Sequence, residues 1–358
     1  MTLTSSSEKP LRILTIGASY GLLPAAKVAA AGHAVTVLGR AEEVSAMRQE
    51  GVEIAFSDQH VLRSPMGDDG LSLATPDGVD PSDFDLVLLA VQEPQVRSPE
   101  ISNLLQRIGD KVPVASIMNM PPPPFLDRIR FLPKNIGKDA YEHPSIWEPL
   151  PAERMTLASP DPQAFRPDAE RPGHLQVTLA SNFKFAPFAR EEDQAILARV
   201  TRDATRAMQS WGRPPVHLLA RGSVFAPLSK WPMLVTGNCR CLRDDGGPVS
   251  IREAVNENLS ESRLLYEAVN TCLEALGAPN SSLVPFNSYL QAAGQLSRPS
   301  SLARGLAAGA TAVERIDVIV LNLMREAKSS PAAINIMTGI NARITAALAE
   351  NHVKSRVS

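Results

Sequence analysis

The stretch ILTIGASYGLL, residues 13–23, carries small residues at a spacing that suits phosphate binding. A dinucleotide-binding turn uses three glycines, which serve the tight turn, the close approach of a pyrophosphate and the packing of helix on strand. Here Gly17 holds the first position, Ser19 the second, and Gly21 comes one residue early for the third. If this turn lacks one residue of the pattern G-x-G-x-x-G, Gly21 takes the role of the third glycine. We then expect the turn, which includes Tyr20, to bind the phosphate groups of a cofactor at a helix N-terminus. The alternative is a structural turn that binds no nucleotide.

A cation closes the next apolar run, AVTVLGR, which ends at Arg40. An acidic residue at this place accepts a hydrogen bond from the adenosine ribose, whereas an arginine pairs with a 2′-phosphate. The sequence therefore predicts NADP(H) in preference to NAD(H). A solvated arginine at the start of a helix is the alternative.

A sheet must position these residues, and the chain predicts one. Short apolar strands alternate with helices, which is typical of a parallel sheet with right-handed crossovers. The predicted strands of that sheet are LRILTIG, AVTVLGR, VEIAF, DFDLVLLAV and VPVASIMNM. The segment VLRSPMGDDGLSLATP is predicted as an antiparallel excursion, and MTLAS and HLQVTLAS as antiparallel strands.

Strand signals stop after about residue 221, and three long segments with helical periodicity follow. The predicted fold class is therefore α/β followed by all-α. We expect a disordered tail over residues 1–10 and a Rossmann-type dinucleotide-binding domain over 11–221, with a proline-rich insertion near 121–189. We expect residues 222–358 to form a helical domain, to which the family resemblance described below assigns substrate binding and dimerisation.

Composition excludes several classes of protein. The chain has 358 residues, a net charge of −2 and 44% hydrophobic residues, and this weak charge argues against a nucleic-acid partner. No apolar run reaches the ~18 residues that a membrane span needs. The polar start MTLTSSSEKP does not resemble a signal peptide. Three cysteines indicate a reducing cytoplasm, and the pair Cys239 and Cys241 lacks a second ligand pair, so we expect no metal site.

The order of four motifs resembles the ketopantoate reductase family in its broad sense. These motifs are AAAGHAVTVLGRAEEVSAMRQEGVEI, FDLVLLAVQEPQ, ASIMNM, and RPSSLARGLAAG with the later ERID. The resemblance covers most of the chain except residues 121–221. It implies a Rossmann-type domain joined to a helical C-terminal domain like that of 6-phosphogluconate dehydrogenase. It also implies a cytoplasmic homodimer that uses NADPH to reduce a small 2-oxo acid by hydride transfer.

The resemblance also assigns roles to single residues. Gln92 stands where these proteins carry a cofactor-binding lysine, and Asn119 matches an asparagine that contacts the substrate and the nicotinamide ribose. Ser300 and Ser301 match a serine pair that binds the substrate carboxylate, although helix capping needs the same atoms. Glu314 lies near a substrate-binding glutamate but one residue out of step. On a helix this shift is a rotation of about 100°, which would turn Glu314 away from the site.

The proton donor is the main departure from the family. The alkoxide that hydride transfer leaves must receive a proton, and the family uses a lysine for this. In LSKWPMLVTGNCRCL that position falls on Met233 or Leu234, which have no proton to give. Lys230, about one turn earlier, is the candidate acid, although Pro232 favours a helix that starts after it. Asn238 is a candidate substrate ligand.

We therefore expect an NADP-dependent oxidoreductase, with Lys230, Asn119 and Glu314 as catalytic residues. Its altered donor and long insertion indicate a carbonyl substrate other than ketopantoate. One alternative is a catalytically degenerate relative that binds a nucleotide or only a partner protein. Another is an opine-type dehydrogenase, which needs a His–Asp pair that the sequence does not reveal.

Overall fold

The computed structural model describes residues 9–57, 60–64, 71–209, 216–243 and 247–357. Most of the predicted tail lies outside them, and so does Gly212, where the sequence predicts the end of the helix in REEDQAILARVTRDATRAMQSWG. The chain forms two compact units, each built from more than one segment. The first unit comprises Met1–Val91, Ser98–Met118 and Glu148–Arg221, and the second comprises Gln92–Arg97, Asn119–Trp147 and Gly222–Ser358.

The first unit contains an eight-stranded sheet of mostly parallel strands. Its strands are β1 (Arg12–Ile16), β2 (Ala34–Leu38), β5 (Leu71–Ala74), β6 (Leu86–Leu89), β7 (Val114–Ile117), β8 (Met155–Ser159), β11 (Phe183–Phe185) and β12 (Leu218–Ala220). Their order is β12-β11-β8-β7-β6-β1-β2-β5. All neighbours pair in parallel except β8 with β11. The carboxyl ends of β1, β2, β6 and β7 therefore share one edge, where such sheets bind ligands.

A second sheet of four strands belongs to the same unit. It comprises β3 (Val52–Phe56), β4 (Val61–Ser64), β9 (Gln163–Phe165) and β10 (His174–Leu179). The order is β4-β3-β10-β9, in which β3 is antiparallel to β4 and parallel to β10. The proline-rich segment thus supplies β9 and β10 to this sheet.

Three strand predictions are wrong in their partners. VEIAF lies in the second sheet as β3, and the LSLA of the expected excursion is the parallel edge strand β5 beside β2. MTLAS, expected to be antiparallel, pairs in parallel with β7 as β8. Burial explains the differences. Only alternate residues of β3 are buried, whereas all five of β8 are, as a central parallel strand requires.

Helices cover the sheets of the first unit and form most of the second. The first unit holds α1 (Leu22–Ala30), α2 (Ala41–Glu50), α4 (Pro99–Ile108) and α6 (Glu191–Gln209). The second holds α3 (Glu93–Val96), α5 (Pro123–Leu126), α7 (Trp231–Thr236), α8 (Ile251–Asn256), α9 (Leu259–Ala275), α10 (Phe286–Ala293), α11 (Ser301–Ala307), α12 (Ile316–Glu326) and α13 (Pro331–Val357). The predicted fold class, a Rossmann-type sheet followed by a helical region, is confirmed. Among the described residues no helix is long and apolar enough to span a bilayer.

Two segments that the sequence placed in the Rossmann-type domain group instead with the helices. Residues 92–97 follow β6 and residues 119–147 follow β7. Both are tied into the second unit by polar contacts. Asn322 of α12 donates to the carbonyl of Ile136 at 3.2 Å, and Arg97 pairs with Glu142.

Two of the long segments predicted as helical, residues 250–277 and 301–328, are each divided into two helices. In the first, Asn258 separates α8 from α9 and caps α9 by accepting a hydrogen bond from the backbone amide of Glu261 at 3.1 Å. Gly309 lies between α11 and α12 with φ at +88°, a left-handed conformation that glycine adopts readily. The second break has a consequence for the site, because it leaves Glu314 outside α12.

A buried ion pair joins the start of α12 to α13. Arg315 donates through Nε and Nη2 to the Asp317 carboxylate at 3.0 and 2.9 Å. Asn341 of α13 donates to the same carboxylate at 2.8 Å, and Asp317 is fully buried. This cluster fixes the chain immediately after Glu314.

We predict that Asp317→Ala lowers the free energy of unfolding by about 3–5 kcal/mol, because it leaves a largely buried guanidinium without its carboxylate. Urea unfolding followed by circular dichroism measures this. Glu350→Ala, which removes one partner of an exposed pair with Lys354, is the control and should change little. Equal small effects of the two substitutions would contradict a structural role for Asp317.

Candidate functional site

The turn between β1 and α1 is built so closely that two positions accept only glycine. Gly17 has φ at +114°, and a Cβ there would lie 2.5 Å from the carbonyl oxygen of Ala90 beyond β6. A Cβ on Gly21 would lie 2.3 Å from the carbonyl oxygen of Gly17 and 3.0 Å from the Cγ2 of Thr15. Gly21 therefore makes the close approach of helix to strand that the third glycine of a dinucleotide fingerprint serves.

The side chains of this turn leave the N-terminus of α1 uncovered. Gly21 is the N-cap and has no side chain, and Ser19 is exposed. Tyr20 donates its hydroxyl hydrogen to the carbonyl of Pro162 at 2.7 Å. A helix N-terminus next to glycine-rich backbone suits a phosphate group, so the turn fits a dinucleotide.

Two arginines and a glutamate lie where β2 ends and α2 begins. Glu43 accepts hydrogen bonds from the Arg40 guanidinium at 3.3 Å and from the Arg166 guanidinium. Arg166 also donates to the carbonyl of Ala18 in the glycine turn. Burial alone would raise the pKa of Glu43, but the hydrogen bonds from Arg40 and Arg166 outweigh it and lower the pKa to about 2. Glu43 is therefore ionised at neutral pH.

The second unit contains a buried carboxyl group held by the segment that follows β7. Glu314 accepts a hydrogen bond from Nδ2 of Asn119 at 3.4 Å and from the amide of Met120 at 3.4 Å. Burial raises the pKa of Glu314 to about 7, and the hydrogen bonds from Met120 and Asn119 partly offset this. The rotation expected for Glu314 does not apply, because α12 begins two residues later, at Ile316.

The other amide atom of Asn119 has no internal partner. Its Oδ1 is buried, and among the described residues no hydrogen-bond donor reaches it. A buried acceptor without a donor is costly, and such atoms are rare in folded proteins. Asn119 can therefore accept a hydrogen bond from a ligand hydroxyl while its Nδ2 holds Glu314.

Polar groups surround this pair. Glu93 is buried and forms an ion pair with Arg97 at 2.5 Å. Tyr141 donates to the carbonyl of Pro121, and its burial, with the nearby carboxyls of Glu93 and Glu314, raises its pKa well above the usual value. The Tyr141 hydroxyl therefore stays protonated across the physiological range.

The structure places the other predicted residues of the second unit on helix ends. Lys230 is half-buried at the N-cap of α7, which begins at Trp231. Met233 packs partly buried against an apolar cluster of the helices, and Leu234 is 2% exposed. Gln92 is exposed, and its backbone N–H donates a hydrogen bond to Oε1 of Gln95 in α3 at 2.9 Å.

The serine pair lies at the start of α11. Ser300 accepts from the amide of Ala303 at 3.2 Å and donates to the carbonyl of Asn238 at 2.7 Å, so its hydroxyl both caps the helix and fixes Asn238. Ser301 is exposed. These contacts leave substrate binding by Asn238, Ser300 and Ser301 a prediction.

The cysteines are buried thiols. Cys239, Cys241 and Cys272 are all unpaired. In the described part of the chain, no three His, Cys, Asp or Glu side chains form a group that could hold a metal ion.

Comparison with known proteins agrees with this architecture. Residues 13–120 match the family model ApbA, described as Ketopantoate reductase PanE/ApbA. Over these residues, 108 of the 358, the chain is similar to the ketopantoate reductase family. The match spans β1 to Asn119 and Met120, and so includes the glycine turn and the amides that hold Glu314. No curated protein matches the sequence significantly.

Solved structures share the fold at low sequence identity. The PanE/ApbA family ketopantoate reductase from Ralstonia eutropha JMP134 is 15% identical with a TM-score of 0.66, over 96% of this chain and 100% of that one. The 2-dehydropantoate 2-reductase from Methylococcus capsulatus is 14% identical with a TM-score of 0.64, over 95% and 98%. A D-mandelate dehydrogenase with NADH and anilino(oxo)acetate is 13% identical with a TM-score of 0.63, over 94% and 99%.

Sequence reasoning missed three residues near these groups: Arg166, Glu93 and Tyr141. Arg166 lies in SPDPQAFRPDAERPGH, a part of the proline-rich insertion to which the sequence analysis assigned no chemistry. Its contacts with Ala18 and Glu43 span 148 and 123 residues. No local pattern predicts contacts of that range. Glu93 and Tyr141 were missed for the same reason, because their proximity to Glu314 also joins distant parts of the chain.

We predict that Glu314→Gln removes a pH-dependent loss of stability. In the unfolded chain Glu314 ionises near its ordinary pKa of 4.5, but the folded protein holds the proton up to about pH 7. Wild-type stability from this group is therefore full at low pH and is lost as pH rises through about 7. Relative to wild type, the variant should gain on the order of 3 kcal/mol between about pH 5 and pH 8, at about 1.4 kcal/mol per pKa unit. Urea unfolding across this range measures it, and a constant difference would contradict the raised pKa.

Proposed function

We propose that the protein is an NADPH-dependent oxidoreductase that reduces a 2-oxo acid, or a related carbonyl compound, to the hydroxy acid. The observation that carries this proposal is the buried carboxyl of Glu314 beside the unpaired Oδ1 of Asn119. The carboxyl of Glu314 offers the proton that a carbonyl oxygen needs when it is reduced, and Oδ1 of Asn119 offers an acceptor to a hydroxyl group of the same small ligand.

The relatives support the reaction class. The matched family model and the structures from Ralstonia eutropha and Methylococcus capsulatus carry the name of a reductase. The D-mandelate dehydrogenase is described with NADH and with anilino(oxo)acetate, the monoanilide of oxalic acid, which carries an oxo group next to its carboxylate as a 2-oxo acid does. A nicotinamide cofactor and a 2-oxo acid are therefore the natural starting point for this chain.

The cofactor would be held by residues of the first unit. The backbone of Gly17, Ser19, Tyr20 and Gly21 would take the pyrophosphate, and Arg40 the adenosine end. When bound, the nicotinamide supplies the hydride. Gln92 would contact it through an uncharged amide, so the missing lysine charge at that position must be supplied elsewhere.

The chain's own residues would manage the proton. Hydride addition to the carbonyl carbon leaves its oxygen short of one proton, and the protonated Glu314 carboxyl would provide it and become a carboxylate. A pKa of about 7 gives Glu314 a large protonated fraction at neutral pH, as a general acid requires. Asn119 would accept a hydrogen bond from a ligand hydroxyl through Oδ1 and so orient the ligand beside Glu314.

Lys230 is the second candidate for the proton donor. It lies at the N-cap of α7, in the segment where the family resemblance places a catalytic lysine. Asn238, Ser300 and Ser301 would bind the substrate carboxylate, and a carbonyl compound other than ketopantoate fits the altered α7. A homodimer through the helical unit completes the proposal, and sedimentation tests it.

Met233 and Leu234 favour a second candidate function, a nucleotide-binding relative without catalysis. One or the other stands at the position where the family carries its lysine; Met233 packs against an apolar cluster, and Leu234 is buried. A non-catalytic nucleotide-binding relative should bind the cofactor, unlike a protein that binds only a partner protein. It should not reduce any carbonyl compound, unlike the reductase.

The test is a titration with NADPH and NADH followed by nicotinamide fluorescence, and then a screen of 2-oxo acids. We expect micromolar binding with NADPH preferred. On a substrate found in the screen, Glu314→Gln should lower kcat about 100-fold or more, the range of general acid catalysis. The wild-type rate of reduction should fall as pH rises through about 7, and the variant should lose this dependence.

Lys230→Ala distinguishes the two candidate proton donors. If Lys230→Ala abolishes turnover while Glu314→Gln keeps the wild-type pH profile, Lys230 is the donor instead. Cofactor binding without turnover on any carbonyl compound supports the non-catalytic relative. Failure of wild-type protein to bind either cofactor overturns the reductase.

A further inference from the structure

We propose that Arg166, contributed by the proline-rich segment, forms with Arg40 a two-guanidinium clamp that recognises the 2′-phosphate of the cofactor's adenosine. This inference rests on the proposed function, since it names the residues that select NADPH. It also gives a role to a segment for which the sequence offered none.

The first observation is where Arg166 lies. It directly follows β9 and donates hydrogen bonds to the carbonyl of Ala18 and to Glu43. Ala18 belongs to the glycine turn, and Glu43 belongs to the first turn of α2. Arg166 therefore joins the two loops that follow β1 and β2.

Those two loops enclose the adenosine end of a dinucleotide in folds of this class. Here they approach so closely that a Cβ on Gly39, at the end of β2, would lie 2.8 Å from the Cβ of Ala18. A group that hydrogen-bonds to Ala18 and also reaches α2 must lie at that end of the turn. The pyrophosphate end, at the N-terminus of α1, is served by backbone.

The second observation is that the segment carrying Arg166 is fixed to the turn. Tyr20 donates its hydroxyl hydrogen to the carbonyl of Pro162, and its ring packs edge-on against Phe183 at 5.8 Å between centroids. Pro162 and Arg166 thus bind the glycine turn from the two ends of β9. The guanidinium is held in place by the fold and does not depend on a long exposed side chain.

The third observation is the charge and hydrogen-bonding capacity of the group. Arg40 and Arg166 share the carboxylate of Glu43, and Glu42 also acts on Arg40, but a guanidinium carries five N–H donors, so each arginine keeps donors that Glu43 does not occupy. The side chain of Arg166 is 18% exposed, against 78% for Arg40, and its Nε is buried with no acceptor among the described residues. Such a guanidinium has donors to offer a phosphate, and its planar fork matches phosphate oxygens.

The clamp is tested with fragments that isolate the adenosine end. Adenosine 2′,5′-bisphosphate and AMP, which differ only in the 2′-phosphate, are titrated by calorimetry into wild type and Arg166→Ala. We expect the variant to bind the bisphosphate about tenfold or more weakly, because a charge-assisted hydrogen bond is worth about 1.5–3 kcal/mol. Its affinity for AMP should stay within about twofold of wild type.

Two further variants sharpen the result. Arg166→Lys keeps the charge without the fork and should lie between wild type and Arg166→Ala. Arg171→Ala is the matched control, because Arg171 lies in the same segment but is half-exposed and pairs with Glu50 at 3.8 Å. It should leave both affinities unchanged. Melting temperatures verify that each variant is folded, and NADPH and NADH titrations repeat the comparison on whole cofactors.

The possible results are distinct. Equal weakening of both fragments by Arg166→Ala and Arg166→Lys shows that Arg166 only shapes the turn and overturns the clamp. Tighter binding in Arg166→Ala shows that the arginine obstructs the site, and it overturns the clamp as well. Wild-type protein that binds NADH and NADPH alike, unaffected by the substitution, refutes the clamp and leaves the reductase. Wild-type protein that binds neither cofactor nor fragment refutes the reductase itself.

Discussion

The steric constraint at the β1–α1 turn organises the first unit. The backbone of Gly17 lies against the end of β6, and Gly21 presses α1 against β1, at distances that leave no room for a Cβ. Only this arrangement lets the helix start directly over the strand ends, with small or absent side chains in between. The altered glycine spacing therefore still yields a tight turn, and the neighbouring groups on β2 and β9 have a fixed surface to bind. Tyr20, Arg166 and Arg40 are all placed relative to it.

A different constraint governs the second unit, which buries the carboxyl group of Glu314 away from solvent. Glu314 is 7% exposed, and its partners are the Asn119 side chain and the backbone N–H groups of Met120 and Glu93, with no cation bonded to the carboxyl among the described residues. Desolvation therefore outweighs hydrogen bonding, and the proton is retained to an unusually high pH. Three residues later, the buried carboxylate of Asp317 instead meets the guanidinium of Arg315 directly. The two acidic residues therefore have different partners, and Asp317 serves the packing of α12 on α13.

Much of the fold followed from the sequence, because its main signals are local. The strands β1, β2, β6 and β7 are short apolar runs, and the start of α7 beside Pro232 follows from proline geometry. Strand partners were harder, as VEIAF shows, since the same five residues suit either sheet until a neighbour is known. The available signal in the sequence was the polar residue between apolar ones in VEIAF. Such alternation is typical of a strand with one exposed face, and the alternating burial of β3 agrees with it.

The candidate site could be predicted only in part. Asn119 and Glu314 were selected through the family resemblance and Arg40 by its type and position, but the contact between Asn119 and Glu314 spans 195 residues and is set by packing. The register of Glu314 was misjudged because a helix was assumed to run through it, whereas the break at Gly309 leaves it in a loop. Arg166 was out of reach, since a lone arginine among prolines carries no sign of its partners.

The two units are not consecutive along the chain, and this limits how the protein can be divided or recombined. The chain leaves the first unit after Val91 and again after Met118, and it enters the second for good only at Gly222. A fragment that begins at residue 222 would carry Glu314 but neither Asn119 nor Met120, and would therefore lack half of the carboxyl pocket. A chimaera joined at that boundary would take its proton-holding carboxyl from one parent and the amides that hold it from the other. A fragment or chimaera that keeps this carboxyl group together with its amide partners must therefore include segments from both sides of that boundary.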